Sequence, residues 1–197
     1  MTDPPDLVLA SASPRRAQIL RMLGLPFEVL PSGTSEEILC DETPEAHAER
    51  LARAKAVEVS RHRPGAMVLG GDTVVVLDGE IMGKPSVPAE GVEMLCRLAG
   101  RTHSVVSGLA LALPGGGVLS GVERTEVEFR AFGPEVARQY VDTGEPLDKA
   151  GAYGIQGRGS ALVRRVQGDY FSVVGLPLPL LLDLLEKAGW TYAFGEL

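Results

Sequence analysis

The residues best suited to chemistry come early in the chain, where SASPRR occupies positions 11–16 directly after the apolar run LVLA. The apolar run is typical of a buried strand. Ser13 is a preferred helix N-cap and Pro14 suits the first helical position, so we expect a helix to begin here. A helix start offers unpaired N–H groups, and Arg15 and Arg16 add guanidinium groups that bind phosphate oxygens in pairs. The pattern favours a phosphate site, although the same residues also suit a solvated helix start without a ligand.

Asp72 is the acidic residue best placed to bind a metal ion or act as a base. It follows a short apolar strand predicted over residues 67–69 and the two glycines Gly70 and Gly71. Because glycine carries no side chain, a ligand can approach the backbone beside the carboxylate. At the end of a strand, such a carboxylate can bind Mg²⁺ or accept a proton as a general base. The competing interpretation is an ordinary turn or capping residue.

Four further charged residues are candidates. Lys84 stands between a glycine and a proline, which restrict its backbone, and it could reach a phosphate. Lys55 lies on the helix predicted over residues 44–63, and Glu36 and Glu37 lie in a polar loop where they could supply a metal ligand. Each of these side chains could instead be solvated, which is the commoner state for lysine and glutamate.

Alternating strands and helices must position these groups. The apolar patterns predict strands at residues 7–10, 27–30, 67–69, 74–77, 80–82, 102–113, 118–130 and 162–166. They predict helices at residues 17–23, 44–63, 87–99, 134–143 and 178–188, with a glycine-rich loop over residues 147–160. The alternation has no repeat period, and the hairpins require antiparallel pairing. We therefore predict an α/β fold with a mixed twisted sheet and flanking helices.

Composition excludes several classes of protein. The 197 residues are 45% hydrophobic, which is ample for one core. The net charge of −7 disfavours a general nucleic-acid binder, and no apolar run is long enough to cross a membrane. Two cysteines without metal-ligand spacing and no recognisable leader lead us to expect a cytoplasmic protein with free thiols.

Common cofactor motifs do not fit. The lysine of residues 83–85 is followed by proline rather than serine or threonine, so this is not a P-loop. The glycines of residues 151–159 do not open a helix after a strand, as a dinucleotide site requires. The three histidines are scattered, which matches neither a zinc site nor a catalytic triad.

Taken together, four motifs resemble the Maf family of nucleoside triphosphate pyrophosphatases. They are SASPRR at residues 11–16, GDT at residues 71–73, GKP at residues 83–85 and DKAGAYGIQG at residues 148–157, with GLPL at residues 175–178 as a further match. The resemblance extends from about residue 7 to residue 185. Each motif alone is modest, but four in order at the right intervals are specific.

The resemblance implies a fold of the Maf and inosine-triphosphatase type, with one domain over residues 1–197 and two intimately joined lobes around a deep cleft. It implies hydrolysis of a nucleoside triphosphate to the monophosphate and pyrophosphate with a divalent metal cation, Mg²⁺, Mn²⁺ or Co²⁺. It assigns catalysis to Asp72 and the metal to Glu36 and Asp72. Phosphate contacts are carried over to a basic and hydroxyl set made up of Ser11, Arg15, Arg16, Lys55 and Lys84.

Base specificity is implied by Arg15, Thr73 and Gln156, which match the dTTP/UTP branch of the family. The Gln156 amide can donate and accept, so it could pair with the O4 and N3–H edge of uracil or thymine. Thr73 is small and leaves room for the base. A purine or methylated purine triphosphate, and a nucleotide-binding regulator of cell division, stay open as alternatives. A homodimer is also left open.

Overall fold

The structure is a computed structural model that describes residues 6–194, and the first five and last three residues of the expected domain lie outside that range. The strands are β1 (Leu7–Leu9), β2 (Glu28–Val29), β3 (Met67–Leu77), β4 (Glu80–Met82), β5 (Thr102–Ala112), β6 (Val118–Phe129) and β7 (Val163–Gln167). The helices are α1 (Pro14–Met22), α2 (Pro44–Ser60), α3 (Pro88–Leu98), α4 (Pro134–Val141), α5 (Tyr170–Val174) and α6 (Leu178–Lys187). Proline opens the first four helices, where its missing N–H costs no hydrogen bond.

The predicted mixed sheet is confirmed. The strands lie in the order β2-β1-β3-β5-β6-β7, and β4 pairs with part of β3. Strand β1 is parallel to β2 and β3, whereas the other pairs are antiparallel. The short helix α5 was not predicted, and the glycine-rich loop contains two 3₁₀ turns, Ala150–Ala152 and Gly157–Leu162.

One prediction was wrong in a way that matters for the site. Asp72 is not at a strand end, because β3 continues through it to Leu77 and pairs with β5 along nearly its whole length. On the opposite edge, however, β1 leaves β3 at Leu69 and β4 joins only at Val75. Residues 70–74 therefore have one open edge, and the carboxylate lies beside that gap.

Helix α2 packs unusually close to the sheet. A Cβ atom on Gly70 would lie 2.2 Å from the carbonyl oxygen of Ala52, and one on Gly108 would lie 2.4 Å from that of Ala48. Real Cβ atoms do not approach backbone this closely, so glycine is required at both positions. The contact fixes the height of α2 above β3 and β5.

Two large apolar clusters occupy the two halves of the sheet. One joins α1 and α6 to β1, to the first part of β3 and to the last part of β5, and Leu20, Leu69 and Leu181 lie in it. The other joins α3 and α4 to the far half of the same strands, around Leu95 and Phe129. Within residues 6–194, no helix combines the length and apolar character that crossing a bilayer requires.

The close contact of α2 predicts the result of Gly70→Ala. The added methyl group must displace the helix, so we expect a loss of about 1–3 kcal/mol in the free energy of unfolding. Urea denaturation measures it. Gly65→Ala is the matched control, because nothing lies within 4 Å of its Cβ position. Equal stability of the two variants would contradict the packing argument.

Candidate active site

A cleft of about 720 Å³ opens at the gap in the edge of β3. Side chains from the start of α1, from α2, from β3 and from the late glycine-rich loop line it. The structure brings nine of the ten candidate residues to this cleft: Ser11, Arg15, Arg16, Glu36, Lys55, Asp72, Thr73, Lys84 and Gln156. The tenth candidate, Glu37, does not line it. Side chains at successive strand positions alternate between faces, so Asp72 faces α2 while Thr73 faces Arg16.

Lys55 joins the two acidic candidates. Its Nζ lies 2.8 Å from Asp72 Oδ1 and 2.6 Å from Glu36 Oε1. The Lys55 and Asp72 side chains are only 10% and 9% exposed, so neither charge is well hydrated and each requires the other. The solvated interpretation of Lys55 is therefore wrong.

Glu36 connects this buried pair to solvent. Its second carboxylate oxygen accepts from Lys84 Nζ at 3.3 Å, and the Lys84 side chain is 58% exposed. Partial burial alone would raise the pKa of Glu36, but the Lys55 ammonium, aided by Lys84, holds that pKa below its ordinary value. The side chain is therefore an anion over the neutral pH range.

The start of α1 has the predicted geometry. Ser13 is the N-cap, its hydroxyl accepts from the Arg16 N–H, and Pro14 is the first helical residue. Ser11 Oγ accepts from Ser13 N at 3.2 Å and from Arg16 Nη1 at 3.0 Å. Because both contacts use the oxygen as acceptor, the Ser11 hydroxyl proton remains available to a phosphate oxygen in the cleft.

Arg16 is a buried cation held from three directions. Its Nε donates to the Gly175 carbonyl at 2.7 Å, Nη1 to Ser11, and Nη2 to Thr73 Oγ1 at 3.2 Å. Burial lowers the pKa of the guanidinium, and the negative charge of nearby Asp72 opposes that shift. Three of its five N–H groups are thus committed to the protein, and two remain for a ligand.

A hydroxyl chain explains how Thr73 is held. Ser107 Oγ donates to the Ser172 carbonyl at 2.8 Å, so its oxygen must accept the Thr73 hydroxyl proton across a distance of 2.8 Å. Thr73 therefore accepts from Arg16 and donates to Ser107. Its proton is committed within the protein, which leaves Thr73 to orient Arg16 and to border the space beside it.

Arg15 and Gln156 also line the cleft, and both are held less firmly than Arg16. Arg15 Nη1 lies 3.5 Å from Asp148 in the late loop, and both side chains are partly exposed. Gln156 is exposed at the cleft, and among residues 6–194 its side-chain amide makes no hydrogen bond. That amide is therefore free to bind a ligand.

Sequence reasoning missed Glu145, which shapes the loop around Gln156. Its carboxylate accepts from the N–H groups of Arg158 and Gly159, both at 3.0 Å, and from the Tyr140 hydroxyl at 2.9 Å. These bonds hold the pKa of Glu145 below its ordinary value despite the opposing effect of burial. The only signal in the sequence was a glutamate near a glycine-rich stretch, and that does not name its partners.

His103, which the sequence gave no role, lies beneath the same loop. Its Nε2 is 2.7 Å from the Tyr153 hydroxyl, and Tyr153 lines the cleft. Burial lowers the pKa of His103 to about 4, so the ring is neutral at neutral pH. It orients the tyrosine rather than supplying charge.

The carboxylates available for a metal ion are few. Within residues 6–194, no group of three or more histidine, cysteine, aspartate or glutamate side chains is arranged to hold one. Asp72 and Glu36 nevertheless suit Mg²⁺, which commonly takes one or two carboxylates and completes its shell with substrate phosphates and water. The donor set fits a metal that arrives with a phosphorylated ligand.

Known proteins resemble this chain over most of its length. The profile of the family described as Maf-like protein matches residues 6–188. A dTTP/UTP pyrophosphatase from Moorella thermoacetica is 52% identical over 184 residues, 93% of this chain and 95% of the relative. The dTTP/UTP pyrophosphatase from Symbiobacterium thermophilum is 49% identical over 184 residues, 93% of this chain and 94% of that protein. Among solved structures, the Staphylococcus aureus Ham1 protein is 14% identical with a TM-score of 0.42, covering 95% of this chain and 91% of that one.

The hydroxyl chain predicts the effect of Ser107→Ala. The change leaves the buried Ser172 carbonyl without its donor and the partly buried Thr73 hydroxyl without its acceptor, so we expect a loss of about 1–3 kcal/mol in the free energy of unfolding. Chemical denaturation gives this value. Ser86→Ala, at an exposed serine, serves as the control. A stability unchanged from wild type would show that Ser107 does not hold Thr73.

Proposed function

The chain belongs to the Maf family, and on that premise we propose that it is a nucleoside triphosphate pyrophosphatase that hydrolyses dTTP and UTP. The products are the nucleoside monophosphate and pyrophosphate. The relatives reported above match nearly the whole chain, and both are named dTTP/UTP pyrophosphatases. One observation of the structure supports the proposal most: Lys55 joins Asp72 and Glu36 in a cleft that the arginines of α1 also border.

The triphosphate binds where the positive charges lie. Its oxygens receive the two free N–H groups of Arg16, the fork of Arg15 and the Ser11 hydroxyl, near the positive end of the α1 dipole. Lys84 is exposed at the mouth and acts as a point charge on the leaving pyrophosphate. Cations clustered here within an otherwise acidic protein favour a small anion over a long polyanion, so we propose free nucleotides rather than nucleic acid as the substrate.

Asp72 and Glu36 would hold the divalent cation together with phosphate oxygens. When bound, the cation neutralises phosphate charge and makes the phosphorus a better electrophile. The ammonium of Lys55 lies between these carboxylates. It can turn toward a phosphate oxygen once a cation neutralises the two carboxylates in its place. Lys55 therefore keeps the two carboxylates together before the substrate arrives.

Asp72 acts as the general base. Lys55 donates to Oδ1, the oxygen that would hold the cation once Lys55 turns away. Among the described residues Oδ2 makes no hydrogen bond, so Oδ2 is free to accept a proton. A water molecule gives that proton to Oδ2 as its oxygen bonds to the α-phosphorus. The bond from the α-phosphorus to the bridging oxygen breaks, and pyrophosphate leaves with the bonding electrons. Arg16 and Lys84 stabilise the charge that develops.

Gln156 selects the base. Its unpaired amide can accept from N3–H and donate to O4 of uracil or thymine, whereas cytosine presents the reverse pattern at these positions. A site that depends on hydrogen bonds rejects the wrong edge strongly but discriminates weakly against one added methyl group. UTP and dTTP should therefore both be substrates.

Since free nucleoside triphosphates are the substrate, we also propose that the protein acts in the cytoplasm.

The test is a panel of triphosphates assayed with Mg²⁺, Mn²⁺ or Co²⁺. We expect UMP or dTMP with stoichiometric pyrophosphate, and little product from CTP, GTP or ITP. Nucleotide binding without pyrophosphate release would instead favour a regulatory protein. Faster turnover of ITP would favour the purine alternative.

Asp72→Asn tests the general base. We expect kcat to fall by a factor on the order of 10²–10⁴, since the amide cannot take the proton from water. Equilibrium binding of UTP without added metal and the far-UV circular dichroism should be preserved. Near-normal turnover would remove Asp72 from this role.

Gln156→Ala tests base selection. We expect kcat/KM for UTP to fall while the value for CTP changes little, so that the preference for UTP narrows. The ratio of the two kcat/KM values is the measurement. Gln139→Ala, at an exposed glutamine on α4, should leave the ratio unchanged. An unaltered preference in Gln156→Ala would place base recognition elsewhere.

A further inference from the structure

Glu36 lies in a segment with no regular structure. Residues 32–42, which we name the Glu36 segment, connect β2 to α2 without forming a helix or strand. Neither a ladder of backbone bonds nor a helix therefore sets the position of the Glu36 carboxylate. The side chain itself is about half exposed, so surrounding packing does not set it either.

Helix α2 holds one end of this segment through Glu58. The Glu58 carboxylate accepts from the hydroxyl of Ser32, from Thr34 Oγ1 at 2.7 Å and from Gly33 N at 3.1 Å. Thr34 N also donates to Ser32 Oγ at 3.0 Å, which closes the turn. The donated bonds from Ser32 and Thr34 lower the pKa of Glu58 to about 2, so this first clamp is intact at neutral pH.

The same helix holds the other end through Arg50. Its guanidinium donates to both oxygens of Glu42, at 2.5 and 2.7 Å, and to the Glu37 carbonyl at 3.0 Å. His47 Nδ1 lies 3.0 Å from the same Glu42 carboxylate. The hydrogen bond from Arg50 is the main reason why the pKa of Glu42 is lowered to about 2. This second clamp fixes the residue directly after Glu36.

The two clamps lie on either side of Lys55 along α2. Because an α-helix turns about 100° per residue, the side chains of Arg50, Lys55 and Glu58 leave the helix within an arc of about 140°. The clamps thus flank Lys55, whose Nζ contacts Glu36 directly. Helix α2 in turn rests on Gly70, two residues before Asp72. One rigid helix therefore sets the distance between the two carboxylates.

We propose that Glu58 and Arg50 are positioning residues, which hold Glu36 where it can share a divalent cation with Asp72. The inference rests on the proposed function for the identity of the cation and substrate. Neither clamp touches the reacting atoms. Both bind a loop rather than the apolar core, so their principal effect is on the geometry of the site.

Glu58→Ala is the principal test, and its matched control is Glu49→Ala. Glu49 is also on α2, and its carboxylate also accepts from a serine hydroxyl, at Ser120, away from the Glu36 segment. We expect the Mg²⁺ concentration for half-maximal activity to rise roughly 10–100-fold in Glu58→Ala and to stay unchanged in the control. The KM for UTP at saturating Mg²⁺ should change little.

A second measurement does not depend on turnover. Binding of Mn²⁺ to each variant with α,β-methylene-UTP, followed by electron paramagnetic resonance of free Mn²⁺, should weaken by a similar factor in Glu58→Ala. Arg50→Ala, at the other end of the segment, should weaken Mn²⁺ binding in the same way. Glu58→Gln keeps an acceptor oxygen, so its Mn²⁺ affinity should lie between those of the wild type and Glu58→Ala. Urea denaturation midpoints show whether each variant remains folded.

The outcomes separate this inference from the proposed function. A wild-type protein that releases no pyrophosphate contradicts the proposed function, whereas the Mn²⁺ measurement still tests the clamps. Glu58→Ala and Arg50→Ala variants that bind Mn²⁺ as tightly as the wild type would overturn the positioning role. A Glu49→Ala variant that loses as much Mn²⁺ affinity as they do would overturn it as well.

Discussion

The site depends on how closely helix α2 approaches the sheet. Gly70 and Gly108 remove the side chains that would otherwise separate the helix from β3 and β5. At that separation the Lys55 ammonium reaches the Asp72 carboxylate in the interior of β3. The two buried charges then neutralise each other out of contact with most of the solvent. A helix one side chain further out would leave Asp72 buried without a partner, which is far more costly than burying the pair.

The opposite face of β3 carries a second network that meets the first at the open strand edge. Gly71 leaves room for the Arg16 guanidinium, and a Cβ there would lie 3.2 Å from its Nε. Through Thr73 and Ser107 the network reaches the Ser172 carbonyl. Because β1 and β4 leave residues 70–74 unpaired on one edge, groups from both faces border a single cleft. The sheet topology thus brings the acidic and basic groups together.

Much of this could be predicted from sequence, and the failures have physical causes. Serine, proline and arginine at the start of α1 act locally, so their spacing predicted the helix start correctly. Asp72 was predicted at a strand end, beside two glycines that would admit a ligand, whereas the strand continues and Gly70 admits helix α2 instead. Glu58 and Glu145 bind backbone and hydroxyl groups of distant loops, and no local pattern specifies such partners.

The hydrogen bond from Arg16 to the Gly175 carbonyl has a consequence for biosynthesis. The two residues are 159 positions apart. At about 5–20 residues per second on the ribosome, the acceptor is made roughly 8–32 s after the donor. A nascent chain therefore carries its first arginine pair long before the carbonyl that orients one of them exists. We expect competence for phosphate chemistry to arise only after Gly175 has been synthesised, so that shorter nascent chains leave the cellular nucleotide pool untouched.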